Sequence, residues 1–366
     1  MVQSVIIIIS QNENIKITEF LGSCLIKDSK IIREAISKLM AGKNLSRLES
    51  RLVMNEILEN KATDAQISAY LVALRMKGET VDEITGSAEA LSGKSKTVQL
   101  SYENVVDICG TGGDNLHTFN ISTTAAIVTA GAGINVAKHG TRSVSSKCGS
   151  ADILKTLGVN INLSRQRIER CLSEVGLTFI FSQKFQKSAP YALGPRREIG
   201  ARTIFNILST LTHPARIRRQ VIGVYDRSLM HTIIEVLREL RAHQVMVVHG
   251  EEGLDEISIS GKTYVEELID NNIYEYEITP ENFGLQSAPI SAIQTENCEQ
   301  NEHIILDILR GKKGPARDVV VLNAGAAIKV SGKVNSLQEG IILAQKSIDE
   351  GAALQSLNKL IKVSNA

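Results

Sequence analysis

The chain has 366 residues, 43% of them hydrophobic and 22% charged, with a formal net charge of +1. That size allows a large core or two domains, and the composition is that of an ordinary soluble globular chain. The balanced charge excludes a global field that would draw the chain to nucleic acid or to an anionic membrane, so any anion site has to be local.

Residues 1–29 show no strong helical period and are read as an extension. Within them the apolar run Val5–Ile9 is too short to span a membrane and lacks a basic lead, so a strand or a disordered start is predicted instead of a targeting signal. Helices follow over residues 30–95. Ile31, Ile32, Ala35, Ile36 and Leu39 recur at helical spacing and stop near Gly42. Three capping boxes come next: Ser46 with Glu49, Thr63 with Gln66, and Thr80 with Glu83.

The most informative stretch is Asp107–Gly158. Val105, Val106, Ile108 and Cys109 form a buried-strand pattern that ends in Gly110-Thr-Gly-Gly-Asp114. Asn120-Ile-Ser-Thr-Thr124 then opens an Ala-rich helix. A second strand, Ile134–Ala137, runs into Lys138-His-Gly-Thr-Arg142 and the hydroxyl-rich Ser143–Ser150. Two strand ends thus each deliver glycine, polar side chains and a helix N-terminus. Glycines let the backbone approach an anion, and helix N-termini present unpaired N–H groups. The pattern reads as a phosphate or pyrophosphate cradle, with Lys138 and Arg142 adding positive charge. The plainer alternative is a flexible glycine loop followed by a Ser-rich surface turn.

Further on, a helix is predicted over Ser164–Val175 and a strand over Leu177–Ser182, with Phe185–Gly194 irregular. One helix is expected over Arg196–Leu211, ending before Pro214. A βαβ unit follows: strand Val221–Tyr225, a helix over about Leu229–Arg241, and strand Val245–His249. Thr263–Ile269 and Tyr274–Ile278 add strands without intervening helices, which predicts a mixed, mostly parallel sheet. Helices near 299–310, 316–329 and 336–349 close the chain.

His249-Gly-Glu-Glu-Gly-Leu-Asp-Glu256 gathers four carboxylates at one strand end. The adjacent Asp255 and Glu256 suit hard cations that share ligands with phosphate oxygens and water. Taken alone, a solvated acidic turn is the plainer reading. The cysteines, Cys24, Cys109, Cys148, Cys171 and Cys298, are scattered and odd in number, without metal-ligand spacing. They predict a reduced cytoplasmic protein in which Cys109 and Cys148 serve packing and not covalent catalysis.

GTGGD, NIST and KHGTRSVSSKCGSAD, as they stand here, resemble the signature of the anthranilate phosphoribosyltransferase family, and the resemblance covers about residues 30–363. It implies an α/β fold with a small discontinuous helical domain (30–97 and about 196–216) used for dimerisation. The remainder (98–195 and 217–366) would be the α/β domain that binds 5-phosphoribosyl 1-diphosphate. By the same resemblance the donor is bound by Gly110, Gly113, Asp114, Thr118, Asn120, Ser122, Thr123, Lys138, His139, Arg142, Ser145, Ser146 and Ser150. His139 is read as a positioning residue in preference to a general base. GLDE matches the family's magnesium motif, which implies two Mg²⁺ ions held by Asp255, Glu256 and Ser122. The implied acceptor is an aromatic amino acid such as anthranilate, contacted by Gly110, Thr141 and Arg196, with no nucleic-acid or membrane partner.

Three segments depart from the family. Thr141 replaces its Asn, Phe185-Gln-Lys-Ser-Ala189 replaces HHPAM, and Ser209-Thr-Leu-Thr-His-Pro214 replaces GPLTNP. The departures keep a different aromatic acid open as acceptor. Pyrimidine nucleoside phosphorylases share part of the second motif. They and a non-catalytic nucleic-acid-binding relative are the remaining readings.

Overall fold

The structure, a computed structural model, describes residues 29–141, 148–185 and 189–366. Four helices open it: α1 Lys30–Met40, α2 Arg47–Leu58, α3 Asp64–Lys77 and α4 Val81–Lys94. The three predicted capping boxes all form. In the third, Thr80 N–H donates to Glu83 Oε2 at 2.8 Å. Glu83 also accepts from the Leu45 N–H at 2.8 Å and pairs with Lys77 at 3.0 Å. This fully buried carboxylate is therefore satisfied on every side, as burial demands.

Next come β1 Val106–Gly110, α5 Ile121–Gly131, β2 Val136–Gly140, α6 Ser150–Thr156, α7 Arg165–Val175 and β3 Leu177–Phe181. The helix expected over Arg196–Leu211 is two helices. After a short turn α8 (Ser182–Phe185), α9 spans Leu193–Ile199 and α10 spans Ile204–Leu211. Gly200, at φ 63°, adopts the left-handed conformation that caps and ends a helix, which periodicity alone does not register.

The chain then forms β4 Arg219–Gly223, α11 Met230–Glu239, β5 Gln244–Gly250, β6 Thr263–Ile269 and β7 Asn272–Ile278. It ends with α12 Cys298–Leu309, α13 Pro315–Val330, α14 Leu337–Asp349 and α15 Ala352–Asn365. The last helix is an addition to the sequence reading.

The seven strands run in the order β3-β2-β1-β4-β5-β6-β7. Pairings are parallel from β3 through β5 and antiparallel for β5–β6 and β6–β7, so the sheet is mixed and mostly parallel as expected. Asp270 and Asn271, both at positive φ, make the two-residue turn between β6 and β7. Alternate residues feed opposite faces. Val106, Ile108, Val221, Met246 and Val248 join one core with α5, α13, α14 and α15. Cys109, Ile222, Val245 and Val247 join the other with α1–α4, α10 and α11. The helical bundle is thus continuous with one face of the sheet.

Cys148 and Cys298 form a disulfide across 150 residues of sequence, while Cys109 and Cys171 are free and buried. This corrects the expectation of scattered thiols, because fold proximity, which residue spacing does not encode, brings the start of α12 to the second loop. Among the described residues no helix is long and apolar enough to cross a membrane.

Candidate active site

β1 pairs with β4, and the chain leaves β1 toward β2 but leaves β4 toward β5 on the other side, so the strand order reverses between them, where α/β folds open a crevice at the strand carboxyl ends. Three segments meet there. The first is the loop after β1. Gly112 and Gly113 stand at φ 72° and 81°, where side chains are disfavoured. The Gly112 N–H donates to Asp255 Oδ2 at 2.6 Å. The N–H groups of Gly113 and Asp114 have no acceptor among the described residues. Asp114 Oδ1 accepts from the Leu116 N–H at 3.2 Å.

The second segment is the N-terminus of α5. Asn120 stands at its N-cap position without a side-chain capping bond and is clamped by Asn301, which accepts from the Asn120 N–H at 3.2 Å and donates to its side chain at 2.6 Å. Thr118 bridges to Gln294. Ser122 accepts from Lys138 Nζ at 3.2 Å, and the Lys138 ammonium also donates to Ile108 O at 2.6 Å. Thr123 is buried in the same turn, and its hydroxyl has no partner among the described residues.

The third segment is the loop after β5. It passes over the end of β4 and reaches β1. A Cβ at Gly223 or Gly110 would fall inside Asp255, so both glycines are required for that passage. Glu256 Oε1 accepts from the Ser122 N–H at 3.2 Å. Asn323, in the middle of the apolar α13, exchanges two hydrogen bonds of 2.9 Å with the Ile257 backbone and fixes the loop.

Burial, then the charges of Asp114 and Glu256, raise the Asp255 carboxyl well above its ordinary range. Burial likewise pushes Glu256 up to about 7 despite the Lys138 charge. Buried carboxylates crowded in this way form an arrangement that a hard cation relieves. The residues present therefore fit Mg²⁺.

Behind the second loop lies a group that spacing did not reveal. The His139 ring is bonded at both nitrogens, to Asp107 Oδ2 at 2.6 Å and to Ser209 O at 3.0 Å. Two acceptors require two N–H donors, so His139 is an imidazolium. Burial opposes that charge, but Asp107 outweighs it and raises the His139 pKa. His213, edge-on to His139 at 4.8 Å, donates to Ala137 O at 2.8 Å and accepts from the Ala215 N–H at 2.9 Å. Burial lowers its pKa to about 4, so it is neutral. All four ring nitrogens are occupied, and the Asp107–His139–His213 cluster is a closed hydrogen-bonding network with no nitrogen left to bind a metal.

Gly110, Gly113, Asp114, Thr118, Asn120, Ser122, Asp255 and Glu256 thus lie on the three segments that meet at the strand ends, while Thr123 and Lys138 are buried beneath them and also line a small apolar cavity with Leu154 and Phe179. His139 supports these segments from behind, and Ser150 opens α6 with its hydroxyl 3.5 Å from Thr141 O. Arg142, Ser145 and Ser146 lie outside the described residues, as does 186–188 of the altered loop. Thr141 is exposed at the end of β2. Arg196, on α9, is partly buried with its guanidinium 5.1 Å from the Phe205 ring. Burial lowers its pKa, and among the described residues no carboxylate pairs with it. Sequence reading missed Asp107, Asn301 and Asn323. A carboxylate inside an apolar strand and an amide inside the run VVVLNAGAAI are the signals that could have marked two of them.

Loop N–H groups without an acceptor among the described residues, set beside buried carboxylates at a switch point, are what an α/β protein that binds a phosphorylated ligand with a hard cation presents. Two family models agree: the glycosyl transferase family α/β domain matches residues 102–354, and the family's helical bundle domain matches residues 33–94. The anthranilate phosphoribosyltransferase of Petrotoga mobilis is 49% identical over 330 residues, covering 90% of this chain and 96% of its own. That of Alkaliphilus metalliredigens is 48% identical over 334 residues, covering 91% and 98%. The crystal structure of the Thermus thermophilus enzyme aligns with a TM-score of 0.86 at 35% identity, covering 91% of this chain and 99% of that one. The Saccharomyces cerevisiae enzyme in complex with PRPP and Mg aligns with a TM-score of 0.85 at 27% identity, covering 93% and 99%. The chain belongs to the anthranilate phosphoribosyltransferase family.

Proposed function

We propose that this protein transfers the phosphoribosyl group of 5-phosphoribosyl 1-diphosphate to the amine of anthranilate and releases pyrophosphate, a step of tryptophan biosynthesis. The observation that carries the reading is that the Gly113 and Asp114 N–H groups, without an acceptor among the described residues, stand on the loop that Asp255 holds at Gly112, beside Asp114 and Glu256. Anion donors and cation ligands in one place suit a magnesium-diphosphate ligand. Relatives solved with PRPP and Mg and with 4-fluoroanthranilate support the same substrates.

Asp255, Glu256 and the Ser122 hydroxyl are the groups that would hold Mg²⁺, and Asp114 supplies enough further charge for two ions. Bound there, the cation offsets the charge that develops on the departing diphosphate. Gly110, Gly113, Thr118, Asn120, Thr123, Arg142, Ser145, Ser146 and Ser150 complete the donor site. Lys138 lies beneath it and balances Glu256. As the diphosphate leaves, the loop N–H groups and the α5 N-terminus hold the growing negative charge with dipoles already aligned.

The acceptor lies beside Gly110 and Thr141, its carboxylate held by Arg196, whose partial burial with no paired carboxylate among the described residues fits a carboxylate ligand. Its amine approaches the anomeric carbon from the face opposite the diphosphate, so configuration inverts. A neutral aromatic amine held in line needs no general base before attack, and positioning lowers most of the barrier. The imidazolium state of His139 fits that assignment, since it has no lone pair to accept a proton.

The helical unit, residues 30–97 with about 196–216, serves dimerisation in this reading. Ile31, Met40, Leu48, Leu52, Val72 and Met76 are exposed apolar side chains on α1–α3, the kind of surface a second copy covers. As a biosynthetic enzyme the protein acts in the cytoplasm. The test mixes protein, Mg²⁺, donor and a panel of aromatic amines and follows pyrophosphate release. Anthranilate should give the highest kcat/KM. A far higher value with another aromatic acid would reassign the acceptor, and no release with any amine would refute the activity.

A further inference from the structure

Arg202 lies between α9 and α10, in the segment that also carries Arg196, yet it reaches across to the loop after β1. Its Nη2 donates to the Gly113 carbonyl. Its guanidinium stacks over the Tyr225 ring at 3.4 Å, and the Tyr225 N–H donates to Thr111 Oγ1 at 3.3 Å. At Gly113 the φ of 81° disfavours any side chain, and a Cβ there would push the guanidinium, 2.5 Å away, off this contact. The loop is therefore held from three sides: Gly112 by Asp255, Thr111 by Tyr225 and Gly113 by Arg202.

The peptide between Gly113 and Asp114 is planar and trans, with its C=O and N–H pointing in opposite directions. Fixing the Gly113 carbonyl on Arg202 therefore aims the Asp114 N–H away from the guanidinium and stops the peptide from flipping. That N–H is one of the two loop donors without an acceptor among the described residues. Stacking on Tyr225 keeps the planar fork in register, which a flexible ammonium does not achieve.

We infer that Arg202 is a positioning residue for the diphosphate loop. It holds the Asp114 N–H in its anion-binding orientation. The inference rests on the donor assignment above.

The test is calorimetric titration of the full chain with 5-phosphoribosyl 1-diphosphate and Mg²⁺, together with separate KM values for donor and acceptor and a thermal melt of each variant. Arg202→Ala should weaken donor binding about tenfold, the loss expected for one charge-assisted hydrogen bond at about 1.4 kcal/mol per decade. Its acceptor KM should stay within about twofold of wild type. Arg202→Lys, which keeps the charge and loses the fork, should recover only part of the affinity. Tyr225→Leu, which removes the stacking surface, should weaken the donor in the same direction. Wild-type donor affinity in a folded Arg202→Ala variant would overturn the inference, as would equal shifts in the two KM values. Absence of donor binding by the wild type would instead remove the donor assignment itself.

Discussion

His213 offers a quantitative test of the buried network behind the active site. Its folded pKa of about 4 compares with an ordinary value of 6.5. Between those limits the unfolded chain takes up a proton that the folded chain refuses, so stability falls as pH is lowered through 6.5 and the loss is complete near 4. Above 6.5 both states are neutral and His213 contributes no pH dependence. The gap corresponds to about 3 kcal/mol in total, of which about 2.5 kcal/mol is lost by pH 4.5. His139 acts in the opposite direction. Its raised pKa contributes stability that is complete below 6.5 and is lost as pH rises through its folded value. Asp107 is held low, against burial, by the His139 charge and hydrogen bond. Its contribution is present above the ordinary aspartate range and disappears only in stronger acid. The Asp107 change lies below the His213 window, whereas the His139 gain overlaps its upper part and opposes the loss; it is present in wild type and variant alike, so the test reads the difference between them. Asn at 213 keeps a carbonyl for the Ala215 N–H and does not titrate. His213→Asn should cost about 1 kcal/mol at pH 7.5, one imperfectly replaced hydrogen bond. It should also shrink the stability lost between pH 7.5 and 4.5 by about 2.5 kcal/mol relative to wild type. Urea melts of both proteins at the two pH values measure this difference. Equal acid losses in wild type and variant would mean that His213 is protonated in the folded state and that the network is wrongly described.

Replacing Asp255 with Asn and Glu256 with Gln should abolish the Mg²⁺ dependence of donor binding and slow turnover about a hundredfold or more, roughly 3 kcal/mol for a lost charge-stabilising group; calorimetry with and without Mg²⁺ checks it. Arg196→Ala should nearly abolish anthranilate turnover, with roughly 2–5 kcal/mol lost from acceptor recognition. Thr141→Asn should improve the acceptor KM by a few-fold to tenfold, about 0.5–1.5 kcal/mol, and an unchanged KM would exclude residue 141 from acceptor contact. Light scattering at micromolar concentration should report twice the 39.8 kDa chain mass, whereas a monomer mass would leave the apolar faces of α1–α3 without a partner.

Features whose cause is local were legible in the sequence. A capping box needs two side chains three residues apart, and all three predicted boxes form. Gly110, Gly112 and Gly113, three glycines within four residues after an apolar run, mark a loop that side chains would obstruct. Asp255 and Glu256 are neighbours in the chain and remain so in the crevice. What was not legible depends on partners far apart. Arg202 meets Gly113 across 89 residues, Asn301 meets Asn120 across 181, and Cys148 meets Cys298 across 150. None of these pairs has a spacing rule, because the intervening strands determine the approach. The break at Gly200 was missed for a different reason. Apolar positions continue at helical spacing on both sides of it, and only the left-handed φ marks the end of the first helix.

The core shared between the helical bundle and the sheet limits how freely the bundle can be handled as a module. Residues 33–94 form a contiguous block in sequence, and they look excisable. Their buried faces do not stop at that boundary. α3 and α4 pack on α10, and α4 also packs on α11, so the surfaces carrying Tyr70, Leu74, Ile84 and Leu91 are completed by chain laid down more than a hundred residues later. A fragment cut near residue 97 would expose those side chains to water and aggregate. During synthesis the first four helices likewise stay incompletely covered until α10 and α11 have left the ribosome. Swapping this block between relatives therefore requires moving α9–α11 with it, and with them Arg196 and Arg202, so that the scaffold and the substrate contacts are exchanged as one piece.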